Sequence, residues 1–192
     1  MLNLEQVDGE LLLDLAYAAI ADRLHVPAPA PTHAPDYLRE PGATFVTLEF
    51  GAQLHGCIGS IEAHRPLGDD VRRNALLAAF EDPRSRPLRA DELPRVDLTV
   101  ALLGPLQPFA FADEADARAK LRPGVDGLLL TWRAHRGVFL PKVWDQLPTP
   151  REFLDQLKRK AGLPGDFWAP DVQLQRYEVR SFTRPHAARR AS

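Results

Sequence analysis

The 192-residue sequence predicts an α+β fold, a mainly antiparallel sheet flanked by helices. Three observations carry this. Short segments that alternate apolar and polar residues recur along the chain. Two of them, 43–50 and 53–61, are joined by the short turn Gly51-Ala52. Stretches with apolar residues at three- and four-residue steps interrupt the strands, as helices do.

In order along the chain, Leu4, Val7, Leu11, Leu15 and Ala18 fall on one helical face. Asn3 is a predicted cap with Gln6 reaching back, and Gly9 weakens the first turn enough to make Asp8 the alternative start. "VPAPAPTHAP" (26–35) has four prolines in ten residues and reads as an extended surface connection. "ATFVTLEF" sets Val46, Leu48 and Phe50 against Phe45, Thr47 and Glu49, a strand with two different faces. "QLHGCIGSI" returns as its partner. Pro66 to Phe80 is a predicted helix with Leu67, Val71, Ala75 and Ala78 on one face, and Pro83 prevents its continuation.

"VDLTVALL" (96–103) is a further strand, and Asp113 opens a short helix over "DEADARAKL". "DGLLLTW" and "GVFLP" read as paired strands around "RAHR" (133–136). Thr149 caps the next helix, with Pro150 at its first position, Glu152 three residues on, and Gly162 with Pro164 at its end. "VQLQRYEVRSF" (172–182) reads as one last strand. The segment 184–192 has too little apolar content to pack and is an expected loose tail. No internal repeat is present, and residues 1–183 read as one domain.

Composition limits the function classes. With 45% hydrophobic and 26% charged residues, the chain can bury a sizeable core. A net charge of −2 excludes a globally basic nucleic-acid binder. Basic residues do not interleave with aromatics as stacking platforms require, so nucleic acid is not an expected partner. A single cysteine forms no internal disulfide. The start of the chain carries acids and spaced apolar residues, unlike a signal peptide or a membrane span. A soluble cytoplasmic protein is the expected setting.

Chemistry concentrates in "FGAQLHGCIGSIEAHRPL" (50–67), which holds the only cysteine, Cys57. Unbroken alternation sends Leu54 and Ile58 to one face and His55 and Cys57 to the other, with their Cα atoms about 6.5 Å apart. A thiolate beside an imidazole is a nucleophile beside its base. Gly56 and Gly59 would leave backbone uncovered for close approach of a substrate, with N–H groups as oxyanion donors. The same letters also describe a small buried side chain in a tight hairpin, since cysteine packs as a small hydrophobe and strand glycines mark bulges or close contacts.

His55, Cys57, Glu62 and His64 are metal-ligand types within ten residues, but their spacing matches no zinc pattern, and no metal or cofactor is expected. His25, His33, His135 and His186 read as solvated. In "EDPRSRPLRADEL" (81–93), Asp82-Pro83 turns the chain, and Arg84, Arg86 and Arg89 crowd into six residues. That loop is either solvated or a fork for an anionic substrate group. Trp132, Trp144 and Trp168 read as core residues.

Taken together, "TFVTLEFGAQLHGCIGSIEAHRPL", "EDPRSRPLRADEL", "DLTVALL", "GVDGLLL", "FLPKVWDQL", "FLDQLKRKAGLPGDFW" and "YEVRSF" resemble, in this order, the AMMECR-one family. Its bacterial and archaeal members are also called AmmeMemoRadiSam system protein A. The likeness runs from about residue 5 to about residue 183. The family's Leu-Arg-Gly-Cys-Ile-Gly stands here as Leu54 to Gly59, accompanied by Asp82-Pro83-Arg84 and Phe139-Leu140-Pro141. His55 replaces the family arginine, and Ser85 replaces the phenylalanine after Asp-Pro-Arg.

The resemblance implies a larger and a smaller lobe, the smaller near 113–147. It also implies a pathway shared with Memo-type and radical S-adenosylmethionine proteins, without naming a reaction. Two readings follow. In one, Cys57 is the nucleophile or proton donor of an enzyme, helped by His55, with Gly56, Gly59, Asp82 and Arg84 binding a small anionic substrate. In the other, the same residues hold a ligand or a partner protein without catalysis. Either reading expects Arg84 close to the hairpin that carries Cys57.

Overall fold

The computed structural model describes residues 4–29, 31 and 33–186. In chain order these form α1 (Gly9–Arg23), β1 (Pro41–Phe50), β2 (Gln53–Gly59), β3 (Arg65–Pro66), α2 (Leu67–Phe80), β4 (Asp97–Leu103) and β5 (Gln107–Pro108). Then follow α3 (Glu114–Lys120), β6 (Gly127–Trp132), β7 (His135–Phe139), α4 (Pro150–Lys160), β8 (Gln173–Tyr177) and β9 (Val179–Arg184). The fold is α+β. One sheet runs β2-β1-β4-β9 with β3 on β1, the other β5-β8-β6-β7, and the pairing is antiparallel. The chain divides into two compact units, residues 1–104 with 180–192 and residues 105–179. Each has its own apolar core.

In the larger unit, alternation along the strands gives one sheet face to the core. Val46, Leu48, Leu98, Val100 and Leu102 are buried there against α1 and α2. Leu67, Val71, Ala75 and Ala78 form the fully buried face of α2, as their spacing predicts. α1 departs from expectation in two ways. It starts at the alternative position, where the Asp8 carboxylate accepts from the N–H groups of Glu10 and Leu11 at 2.9 and 3.4 Å. Asn3, the other predicted cap, lies outside the described residues. Burial also extends beyond one stripe: Leu12, Leu13, Ala16 and Ile20 are buried, whereas Ala18 is only half-buried. A helix contacted by both α2 and β4 has apolar neighbours on more than one side.

In the smaller unit, Phe153, Leu154 and Leu157 bury the inner face of α4 completely. The Trp144 ring stacks on Phe153 at 3.8 Å, and its Nε1 donates to Asp126 O at 2.8 Å. Thr149 caps α4. Its Oγ1 accepts from Glu152 N at 3.2 Å and donates to Glu152 Oε2 at 2.7 Å, so the return bond of the capping box goes to the hydroxyl instead of the backbone. Thr149→Ala is expected to cost about 1 kcal/mol in a urea melt followed by tryptophan fluorescence; an unchanged midpoint would remove the cap.

Three sequence boundaries move. The β6–β7 turn is tighter than "RAHR", with Arg133 at φ 51° and His135 and Arg136 already in β7. His135 is not solvated: its Nδ1 lies 2.9 Å from Ala161 O, and its ring stacks on Trp132. The single strand expected over 172–182 is two, because Glu178 leaves the ladder to meet Arg122 at 2.9 Å and β8 and β9 join different sheets. β9 extends to Arg184, whose guanidinium meets Glu10 and Asp14, and His186 is held by Asp97 instead of being solvated. The rest of the expected tail, 187–192, lies outside the described residues.

Candidate functional site

The hairpin of β1 and β2 sets the site. Val46 pairs with Ile58, Thr47 with Cys57 and Leu48 with Gly56, but Glu49 pairs with Leu54. His55 is therefore an extra residue, a bulge. The bulge breaks the alternation that puts His55 beside Cys57. The His55 ring meets Phe50 edge-on at 5.5 Å and is 7% exposed, with Nε2 buried and unpartnered. Cys57 lies on the Thr47 side, where Thr47 Oγ1 donates to Sγ at 3.2 Å. On β1, residues 47 and 50 face opposite ways. No hydrogen bond joins His55 to Cys57 among the described residues.

The ladder's phase explains what holds Cys57. Ser60 N donates to Thr44 O at 2.9 Å, so 44/60, 46/58 and 48/56 are the hydrogen-bonded pairs, with Thr47/Cys57 between two of them. The N–H and C=O of Cys57 consequently point away from β1, off a sheet edge. Bare edge groups invite pairing with another chain. Here the turn after α2 covers them. Cys57 N donates to Asp82 Oδ2 at 2.9 Å, and Arg84 Nη2 donates to Cys57 O at 2.9 Å. Arg84 lies against the hairpin, as expected.

Asp82 and Arg84 are themselves locked. The Asp82 carboxylate accepts from Arg84 N, Nε and Nη2 at 3.0, 2.9 and 2.6 Å. That Arg84 fork, aided by the backbone N–H groups of Cys57 and Arg84, holds the Asp82 carboxyl far below the usual carboxylate range despite its burial. Arg84 is raised in turn, by its bonds to Asp82 above all and then by the neighbouring Cys57 side chain. The Asp82 side chain is fully buried, whereas that of Arg84 is 56% exposed. Its Nη1 has no partner among the described residues, so a fixed cationic edge stands beside a half-buried thiol.

Of the two causes the sequence allows for the glycines, close contact is the one the packing shows. A Cβ on Gly56 would lie 2.1 Å from Ala78 O, and one on Gly59 would lie 2.2 Å from the Phe45 ring. At both, the space a Cβ would need is filled by the protein itself. The other arginines of the loop are used internally. Arg86 pairs with Glu92, which is pulled down to about 2, and Arg89 pairs with Asp91 at 3.1 Å. His64 lies 3.1 Å from Glu62, exposed. Among the described residues no three His, Cys, Asp or Glu side chains are placed to hold a metal, and no helix is long and apolar enough to cross a membrane.

Sequence reasoning missed Thr47, although its register with Cys57 follows once the bulge is known. It also missed the buried cluster beside the hairpin, in which Asp70 joins Thr44, Ser60, Arg65 and Asn74.

The AMMECR1 family model matches residues 13–182. A protein of Methanothermobacter thermautotrophicus is 36% identical over 187 residues, covering 93% of this chain and 95% of that protein. A protein of Aeropyrum pernix is 35% identical over 187 residues, covering 92% and 79% respectively. The crystal structure of an uncharacterized protein from Pyrococcus horikoshii matches with a TM-score of 0.82 at 28% identity, covering 94% of this chain and 93% of that one.

Proposed function

Starting from a chain that belongs to the AMMECR1 family, we propose that it is a ligand-binding protein holding a small anionic molecule at the corner formed by Cys57, Thr47 and Arg84. One observation carries this reading: the Arg84 guanidinium is immobilised by Asp82 and by Cys57 O, yet presents its outer edge beside the thiol. A cation already fixed in place loses little side-chain freedom when an anion binds. Carboxylate and phosphate suit its planar fork.

Binding is favoured over nucleophilic catalysis by what faces the thiol. His55 lies on the Phe50 side, and the Cys57 N–H is occupied by Asp82. Neither the expected base nor that expected oxyanion donor is available to Cys57. A cytoplasmic ligand carrier or sensor in the pathway of Memo-type and radical S-adenosylmethionine proteins fits this arrangement.

Titration with inorganic phosphate, followed by amide shifts in ¹⁵N spectra, tests the reading. Cys57, Thr47 and Arg84 should shift together and saturate, and Arg84→Gln should abolish the response. Absence of localised shifts up to about 50 mM, where even a site worth about 2 kcal/mol is half filled, would overturn it.

A further inference from the structure

The sheet face opposite the helices has an ordered pattern. Cys57, Thr47 and Thr99 are register partners on adjacent strands β2, β1 and β4. Thr183 on β9 continues the row, its Oγ1 2.9 Å from Thr99 Oγ1. Four neighbouring strands thus contribute one thiol and three hydroxyls to one lateral line, three spacings or about 14 Å long. Arg84 stands at the Cys57 end. One pleat repeat along β1 on the same face is Glu49, about 6.6 Å from Thr47. Glu49 is half-buried and has no hydrogen-bond or ion-pair partner among the described residues.

A cation at the sheet edge, with a row of hydroxyls and an unpaired carboxylate on the adjoining face, reads a particular chemistry. The cation takes a phosphate. Threonine hydroxyls both donate and accept, and a carboxylate accepts from O–H donors. A ligand matching all three carries a phosphate at one end and several hydroxyls beyond it. We propose that the anion of the preceding reading is a phosphorylated sugar, its phosphate on Arg84 and its ring hydroxyls on Thr47, Thr99 and Glu49. This rests on the anion site at Arg84 and adds to it the identity of the rest of the molecule. A simple dicarboxylate is disfavoured, because its second charge would lie against Glu49.

Three probes separate the two levels: inorganic phosphate, ribose 5-phosphate and ribose, titrated against the full chain by calorimetry and amide shifts. Ribose 5-phosphate should bind at least about tenfold tighter than phosphate, the worth of one or two net hydrogen bonds. Glu49→Gln and Thr99→Val should reduce that advantage to about twofold or less while phosphate binds as tightly as before or tighter, with melting curves confirming that both variants fold. Phosphate binding without any advantage for ribose 5-phosphate would overturn the sugar assignment and leave the anion site standing. No binding of either would overturn both. Ribose binding as well as ribose 5-phosphate would contradict the place given to Arg84.

Discussion

Replacing Asp70 with alanine is expected to cost about 3–5 kcal/mol, the range for leaving a buried charged network without its centre. The Asp70 side chain is sealed from solvent in α2 and gathers five contacts. Oδ2 accepts from Thr44 N and Oγ1, both at 2.8 Å, and from Asn74 Nδ2 at 2.9 Å. Oδ1 accepts from Ser60 Oγ at 2.7 Å and Arg65 Nη1 at 3.3 Å. Alanine leaves the buried donors Thr44 N and Oγ1 of β1 without their acceptor, at about 1–3 kcal/mol for each. Asparagine keeps the shape but turns one acceptor into a donor among donors, so it should rescue little. A chain of this length loses about 2–4 °C per kcal/mol, so the larger unit should melt roughly 6–20 °C lower. Far-UV circular dichroism is the suitable probe, because all three tryptophans lie in the smaller unit. A loss below about 1 kcal/mol would contradict the network's place in the fold.

The second large effect is expected at Gly56. An added Cβ lies 2.1 Å from Ala78 O and 3.0 Å from Ala78 C, both backbone atoms of the last turn of α2. No flexible side-chain end can yield, so β2 must part from the helix. Overpacking costs about 1–3 kcal/mol, and Gly56→Ala belongs at the upper end because backbone must move. The damage should reach the site. Asp82 follows two residues after the end of α2 and holds Cys57 N at 2.9 Å, so a displaced helix end loosens that clip. A lowered melting temperature together with a shifted Cys57 amide is the expected result; wild-type stability would mean that β2 and α2 do not touch here.

Much of this was readable in the residues. Alternation placed β1 and β2, period-four spacing placed Leu67, Val71, Ala75 and Ala78 of α2 in the core, and Thr149 marked the start of α4. The site was read only in part. A single bulged residue reverses the facing of everything before it, and Gly56 beside His55 allows a bulge without requiring one or fixing its place. Asp70 was not singled out, because a carboxylate in a helix's first turns ordinarily faces water or the helix dipole. Its partners Thr44 and Ser60 come from the hairpin, a long-range arrangement that local periodicity does not encode. His135 and His186 were misread for the same reason: their partners Ala161 and Asp97 are distant in sequence. The nearness of Arg84 to Cys57 came from the family likeness. Its physical cause, two edge groups of Cys57 that need partners, became visible only with the ladder's phase.

That Arg84 makes the Cys57 corner an anion site is tested most directly by alkylating the native protein with iodoacetate and with iodoacetamide. Both reagents require the thiolate, so the ratio of their rates cancels its population and reports the local field. A unit charge about 4 Å away is worth about 1 kcal/mol in a water-like dielectric, and the Asp82 carboxylate paired with Arg84 offsets part of it, so the iodoacetate-to-iodoacetamide ratio should lie above that of a free cysteine derivative by up to about fivefold. Arg84→Gln should return it to the free-cysteine value, and so should added salt at about 1 M, where the screening length is about 3 Å. A ratio at or below the free-cysteine value, unchanged by Arg84→Gln, would contradict an anion site at Arg84.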